Sequence, residues 1–99
     1  MTAAIEELTC EWKDDDGKLL TKQLDKVVLT KGAWATLVYL YQDINRASGE
    51  FGKPKIRIQR YQKRGGDYRP HSKFNVSSIA QAEKITEVFQ KWIDEYADE

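Results

Sequence analysis

Residues 30–44, TKGAWATLVYLYQDI, carry the reading on which the fold turns. Trp34, Leu37, Val38, Tyr41 and Ile44 recur at the three- and four-residue spacing of an amphipathic helix. Thr30 stands where an N-cap residue would accept a hydrogen bond from the first turn. Downstream, RASGEFGKP at 46–54 breaks the pattern with Gly49, Gly52 and Pro54. The spacing predicts a helix that starts after Thr30 and is stopped by this loop.

On either side of that helix the chain alternates. Before it, an extended stretch ends at Trp12, a polar turn KDDDG occupies 13–17, and a second extended stretch runs toward Thr30. After it, Ile56 and Ile58 fall on one face of a strand, with Arg57, Gln59, Tyr61 and Lys63 on the other. Gly65-Gly66 marks a tight hairpin turn, because glycine accepts the positive φ such turns require. On the returning stretch Phe74 and Val76 share a face, and Arg69, His71, Lys73 and Asn75 take the opposite one. Pro70 cannot donate to a ladder, which points to an edge strand. A second helix begins near Ser77-Ser78, with Ser78 and Gln81 placed as a capping box and Ala82, Ile85, Val88, Phe89, Trp92 and Tyr96 as its apolar stripe.

The order strand-strand-helix occurs twice, as a ββα repeat over residues 5–47 and 54–96 of a single domain spanning 1–99. The expected fold is α+β: ββαββα, a four-stranded antiparallel sheet with both helices packed on one face. The other face would stay open to water or to a partner.

Charge gives that open face a meaning. Net charge is zero, yet eight of the sixteen basic residues lie in 53–73 against one of the sixteen acids. If the alternation holds, Arg57, Gln59, Tyr61, Lys63, Arg69, His71 and Lys73 share one surface. Cations beside an exposed ring suit single-stranded nucleic acid: the cations neutralise phosphates and the ring stacks an unpaired base. In that reading Tyr61 stacks, Arg57, Lys63, Arg69 and Lys73 contact phosphates, and Gln59 and His71 add hydrogen bonds. Arg60 and Arg64 fall on the alternate face. Two other readings stand beside it. The basic strands are a solvated surface that complements the acidic remainder, or the face pairs with an acidic protein or with its own copy.

Other features carry less chemistry. The three consecutive Asp at 14–16 lack the alternating acceptors of a calcium loop and read as a solvated turn. His71 is the only histidine and has no ligating partners in sequence, so no metal is expected. No nucleophile has an evident base, and the pattern points to no enzyme activity, no cofactor and no small-molecule substrate. A lone cysteine, Cys10, reads as a small buried hydrophobe and suits a reducing compartment. No apolar run approaches the ~20 residues that span a bilayer, and MTAAIEELTC does not read as a secretion signal, so a cytoplasmic location without membrane contact is expected.

The segment IRIQRYQKRGGDYRPHSKFNV resembles part of the positive-cofactor-four transcriptional coactivators, single-stranded-DNA-binding proteins. Arg60, Tyr61, Gly66, Pro70 and Lys73 match that family's landmarks in order, and Phe74 stands where it usually has a glycine. In DKVVLTKGAWATL, Lys26, Leu29 and Trp34 fit a Lys, a strand-end Leu and a Trp on the first turn of a helix. The resemblance implies a homodimer that binds single-stranded DNA on a curved sheet in transcription regulation. It also implies four strands before one helix, an order that differs from the ββαββα read above.

Overall fold

The computed structural model describes residues 4–97. After a single 3-10 turn at Ile5–Glu7 come five strands: β1 (Trp12–Lys13), β2 (Leu19–Thr30), β3 (Trp34–Asp43), β4 (Lys55–Arg64) and β5 (Asp67–Val76). One helix, α1 (Ile79–Tyr96), follows. All strands pair antiparallel with their chain neighbours, giving a single meander in the order β1-β2-β3-β4-β5. The sheet curls into a half-barrel, helped by bulges in β2 at Leu24 and Leu29 and in β5 at His71.

This overturns the expected ββαββα fold with four strands and two helices on one face. The segment expected as the first helix is strand β3. Its burial alternates with period two: Ala35, Leu37, Tyr39 and Tyr41 are buried, while Trp34, Thr36, Val38 and Leu40 are half-buried. The helical spacing misled because β3 is the innermost strand and meets apolar neighbours on both faces. Such a strand shows a near-continuous apolar run in which any period can be found. Its Trp, Thr, Val and Tyr content suits a pleated surface instead. The ββα repeat therefore has no first helix, and Trp34 opens a strand rather than a helical turn.

The hairpin of β4 and β5 forms around Gly65-Gly66 as expected, with a bulge at His71 that the alternation does not anticipate. Arg64 pairs with Asp67 across Gly65-Gly66, whose φ angles of 59° and 91° are open to glycine without steric cost. β5 is an edge strand, where Pro70 costs no ladder bond. The β1–β2 turn consumes Asp14: its Oδ1 accepts from the backbone N–H of Asp16 and of Lys18, each at 2.9 Å.

Cross-strand pairing sorts the side chains into two faces. One face carries Ala35, Leu37, Tyr39, Tyr41 and Tyr61, and the chain before β1 lies over it, bringing Ile5, Leu8 and Cys10 into the core. Lys26 fastens this strap. Its Nζ donates to the carbonyls of Ile5 and Leu8, the latter at 2.8 Å, so a half-buried amine and two carbonyls satisfy one another. Gln23 Oε1 accepts from Thr9 Oγ1 at 2.7 Å and from the Cys10 N–H. Cys10 is buried, and burial pushes its thiol pKa up.

The second face carries Val27, Val38, Leu40, Ile56, Ile58, Phe74 and Val76, and it stays largely open. Only its end near Val76 is covered, where Ile79, Ala82, Glu83 and Thr86 of α1 line a groove with Ile56. Helix α1 is well capped: Ser78 Oγ accepts from the Gln81 N–H at 3.1 Å, and Gln81 Oε1 reaches back to the Ser77 N–H at 3.0 Å. Yet no residue of α1 is buried, and Phe89, Trp92, Ile93 and Tyr96 are all more than half exposed. The radius of gyration is 15.9 Å, against about 13 Å for a compact chain of this length. Among the described residues no helix is long and apolar enough to cross a membrane.

Candidate nucleic-acid interface

The cationic segment is the β4–β5 hairpin, and its geometry follows from two local causes. Strict alternation along β4 sends Arg57, Gln59, Tyr61 and Lys63 to one face and Arg60, Gln62 and Arg64 to the other. Along β5 the alternation is broken. Arg60 pairs with Ser72 and Tyr61 with Pro70, which leaves His71 as the extra residue of a bulge. Beyond the bulge Lys73 and Asn75 stay with Gln59 and Arg57. Before it, Arg69 lies opposite Gln62 on the other face, and His71 turns there too, its ring meeting Trp34.

The seven residues expected on one surface are therefore divided. Arg57, Gln59, Tyr61, Lys63 and Lys73 share a face; Arg69 and His71 belong to the opposite one. Within the first set Tyr61 needs a further correction. Its ring is 2% exposed, packed among the core residues beneath the strap, so it offers no platform to a base. The phase expected for β4 holds; what changes is that this face is covered. Tyr61 Oη lies 2.6 Å from Tyr39 Oη, which satisfies both buried hydroxyls. Burial pushes both phenol pKa values up, and for Tyr39 the hydrogen bond to Tyr61 adds to the effect.

The cations at the rim of that face remain accessible to different degrees. Arg57 is half-buried, with its guanidinium 4.8 Å from the Tyr41 ring centre and its Nε donating to Asn75 Oδ1 at 2.8 Å. Lys63 and Lys73 are exposed, and Lys63 Nζ lies 5.7 Å from the Tyr68 ring. Lys55 is tied to Asp43 at 3.3 Å, the single ion pair among the described residues. The other hairpin cations thus have no carboxylate partner there, and Lys63 and Lys73 turn their charge to solvent.

On the opposite face the hairpin holds a second constellation. Trp34 is half-buried at the start of β3. The guanidinium of Arg60 lies 4.5 Å from its ring centre, and the His71 ring meets it at 4.7 Å with an interplanar angle of 89°. Gln62 pairs with Trp34 across the ladder and accepts from Arg64 Nε at 3.2 Å. Arg60, Arg64, Arg69 and His71 are all exposed. Alternation alone places Arg60 and Arg64 on this face but gives them no aromatic partner, because the helical spacing takes Trp34 away from the sheet. The density of β-formers around Trp34 is the signal that brings them together.

No protein-family model matches the chain, and neither the curated proteins nor the solved structures include a significant match.

Proposed function

We propose that this protein binds single-stranded nucleic acid through the β4–β5 hairpin and acts as a homodimer. The observation that carries the proposal is the set of exposed hairpin cations without a carboxylate partner: Arg60, Arg64 and Arg69 on one face, Lys63 and Lys73 on the other. Cations so placed release counterions from a phosphate backbone, the main source of sequence-independent affinity. The near-neutral total charge confines this attraction to one region rather than spreading it over the molecule. The arrangement of strands before a single C-terminal helix is also the order implied by the coactivator resemblance, with β1 as an additional two-residue strand. A role in transcription regulation and a cytoplasmic location accord with this reading, the latter through the lone unbridged Cys10.

Dimerisation is favoured by a separate observation. The apolar stripe of α1 and the open sheet residues Val27 (49% exposed) and Phe74 (57% exposed) are uncovered apolar surface. A second copy covers such a surface most economically, because a two-fold contact matches each stripe with its equivalent. Lys63, Arg64 and Arg69, near the turn of the hairpin, lie at the end of β4 away from α1.

Binding of a labelled oligo-dT, followed across a salt series, tests the function. Log affinity should fall against log salt with a slope of about −0.7 per phosphate neutralised. Sedimentation equilibrium of the same protein should give a dimer mass. Undetectable binding at low salt would remove the nucleic-acid reading, and a dimer without binding would assign the molecule to self-association alone.

A further inference from the structure

We infer that Trp34 is the base-stacking residue of this protein, with Arg60 as a movable cationic cover and His71 as an edge support. An unpaired base is then held on the face opposite Tyr61. This rests on the nucleic-acid reading above and assigns the part of it that no residue of the expected set performs.

Stacking needs a ring with one accessible face on a rigid element beside the phosphate-binding cations. The aromatic residues near the hairpin differ in this respect. Tyr61 and Tyr41 are 2% exposed. Tyr68 is fixed by its hydroxyl, which donates to the Gly32 carbonyl at 2.7 Å and accepts from the Gly32 N–H at 3.2 Å. Phe74 is exposed, but it lies opposite Ile58 within the apolar half of its face, away from the tip. Trp34 alone combines partial exposure with a place among Arg60, Arg64 and Arg69.

The ring already holds a flat, cationic guest. The Arg60 guanidinium lies over it at 4.5 Å. The Arg60 side chain makes no hydrogen bond or ion pair among the described residues, and it is exposed. A phosphate arriving at the tip draws this guanidinium off the indole, since a charge-assisted hydrogen bond outweighs an exposed cation–π contact. The face so uncovered is then free for the base attached to that phosphate. His71, perpendicular to the indole and fixed by the β5 bulge, limits how the ring can tilt when Arg60 leaves. The ligand class is single-stranded DNA or RNA with bases present; a bare polyphosphate would engage only the cations.

The test uses the full chain. In a Trp12→Phe/Trp92→Phe background Trp34 is the sole indole, and titration with oligo-dT should quench its fluorescence to saturation. Trp34→Leu should bind oligo-dT roughly 5- to 150-fold more weakly, the loss of one stacked base. The same substitution should leave affinity unchanged for an abasic oligonucleotide of equal length. Oligo-dT binding without indole quenching overturns the inference, whether or not Trp34→Leu folds. Equal losses on oligo-dT and on the abasic strand overturn it too, because they reduce Trp34 to a structural support. Absence of oligo-dT binding by the unsubstituted protein is a different result, one that removes the nucleic-acid reading itself.

Discussion

Tyr61 and Arg60 are neighbours in sequence, and they end in opposite surroundings. Tyr61 enters a face closed by the N-terminal strap, where its ring is buried and its hydroxyl is matched to Tyr39. Arg60 lies on the other face, exposed and over a half-buried Trp34. The strands are shared, so strand composition alone does not separate the two faces. What separates them is a long-range event: residues 4–11 fold back over one side and leave the other uncovered. Stability therefore concentrates on the closed face, while the open one keeps Arg60, Arg64 and Arg69 and the apolar residues Val27 and Phe74 exposed.

The sharpest way to break this comparison is to truncate one aromatic on each face. Tyr61→Ala should cost about 3–5 kcal/mol, since it opens a cavity beneath the strap and leaves the Tyr39 hydroxyl without a partner. Phe74→Ala, on the open face and 57% exposed, should change monomer stability by less than about 1 kcal/mol. Urea unfolding of both variants measures the pair. Comparable losses would mean that the open face is covered in solution.

A smaller effect comes from alkali. Tyr39 and Tyr61 are both held neutral by burial, with pKa values raised above the ordinary 10.0. A raised pKa means the folded state keeps a proton that the unfolded state releases. Their contribution is complete below pH 10.0 and is lost as pH rises beyond it. Tyr39 should add a decline approaching about 1.4 kcal/mol per pH unit, and Tyr61 acts in the same direction. Cys10, also raised by burial from 9.0, starts the decline about one unit earlier. Unfolding free energies measured from pH 8 to 11 should fall in this window, and Tyr39→Phe/Tyr61→Phe should flatten the fall. An unchanged profile in the double variant would show that the buried pair is open to water.

The same contrast explains what the sequence made legible. The β4–β5 hairpin was readable because its cues are local: alternation from Ile56 to Lys63, and two glycines where φ must be positive. Helix α1 was readable because Ser78 and Gln81 announce its start and its stripe keeps one period. Residues 34–43 were not, since an inner strand clothed in aromatic and aliphatic side chains on both faces fits a helical spacing as well as a strand. The candidate site suffered from the same kind of non-local control. The bulge that moves His71 beside Trp34 depends on how β5 meets β4. The covering of Tyr61 depends on Leu8, Cys10 and the grip of Lys26 on the strap. Neither is written in the residues that were read as the site.

Helix α1 belongs to the open side of the comparison, and its cap gives the mildest test. None of its residues is buried, so its order depends on local interactions: Ser78 as N-cap, the Gln81 bond back to Ser77, and contacts near Ile56. Ser78→Ala should cost about 1 kcal/mol. Where that cost appears tells how the helix is held. In an isolated chain it should fall on α1 alone: amide protection across Ile79–Tyr96 should drop, while the urea midpoint followed by sheet signals stays in place. In a dimer whose second copy covers the stripe, α1 unfolds together with the assembly. The same substitution then lowers the global midpoint, and that midpoint rises with protein concentration in both variants. Hydrogen exchange at two concentrations distinguishes the cases. Loss of α1 protection that is the same at both concentrations would leave the apolar stripe without a partner.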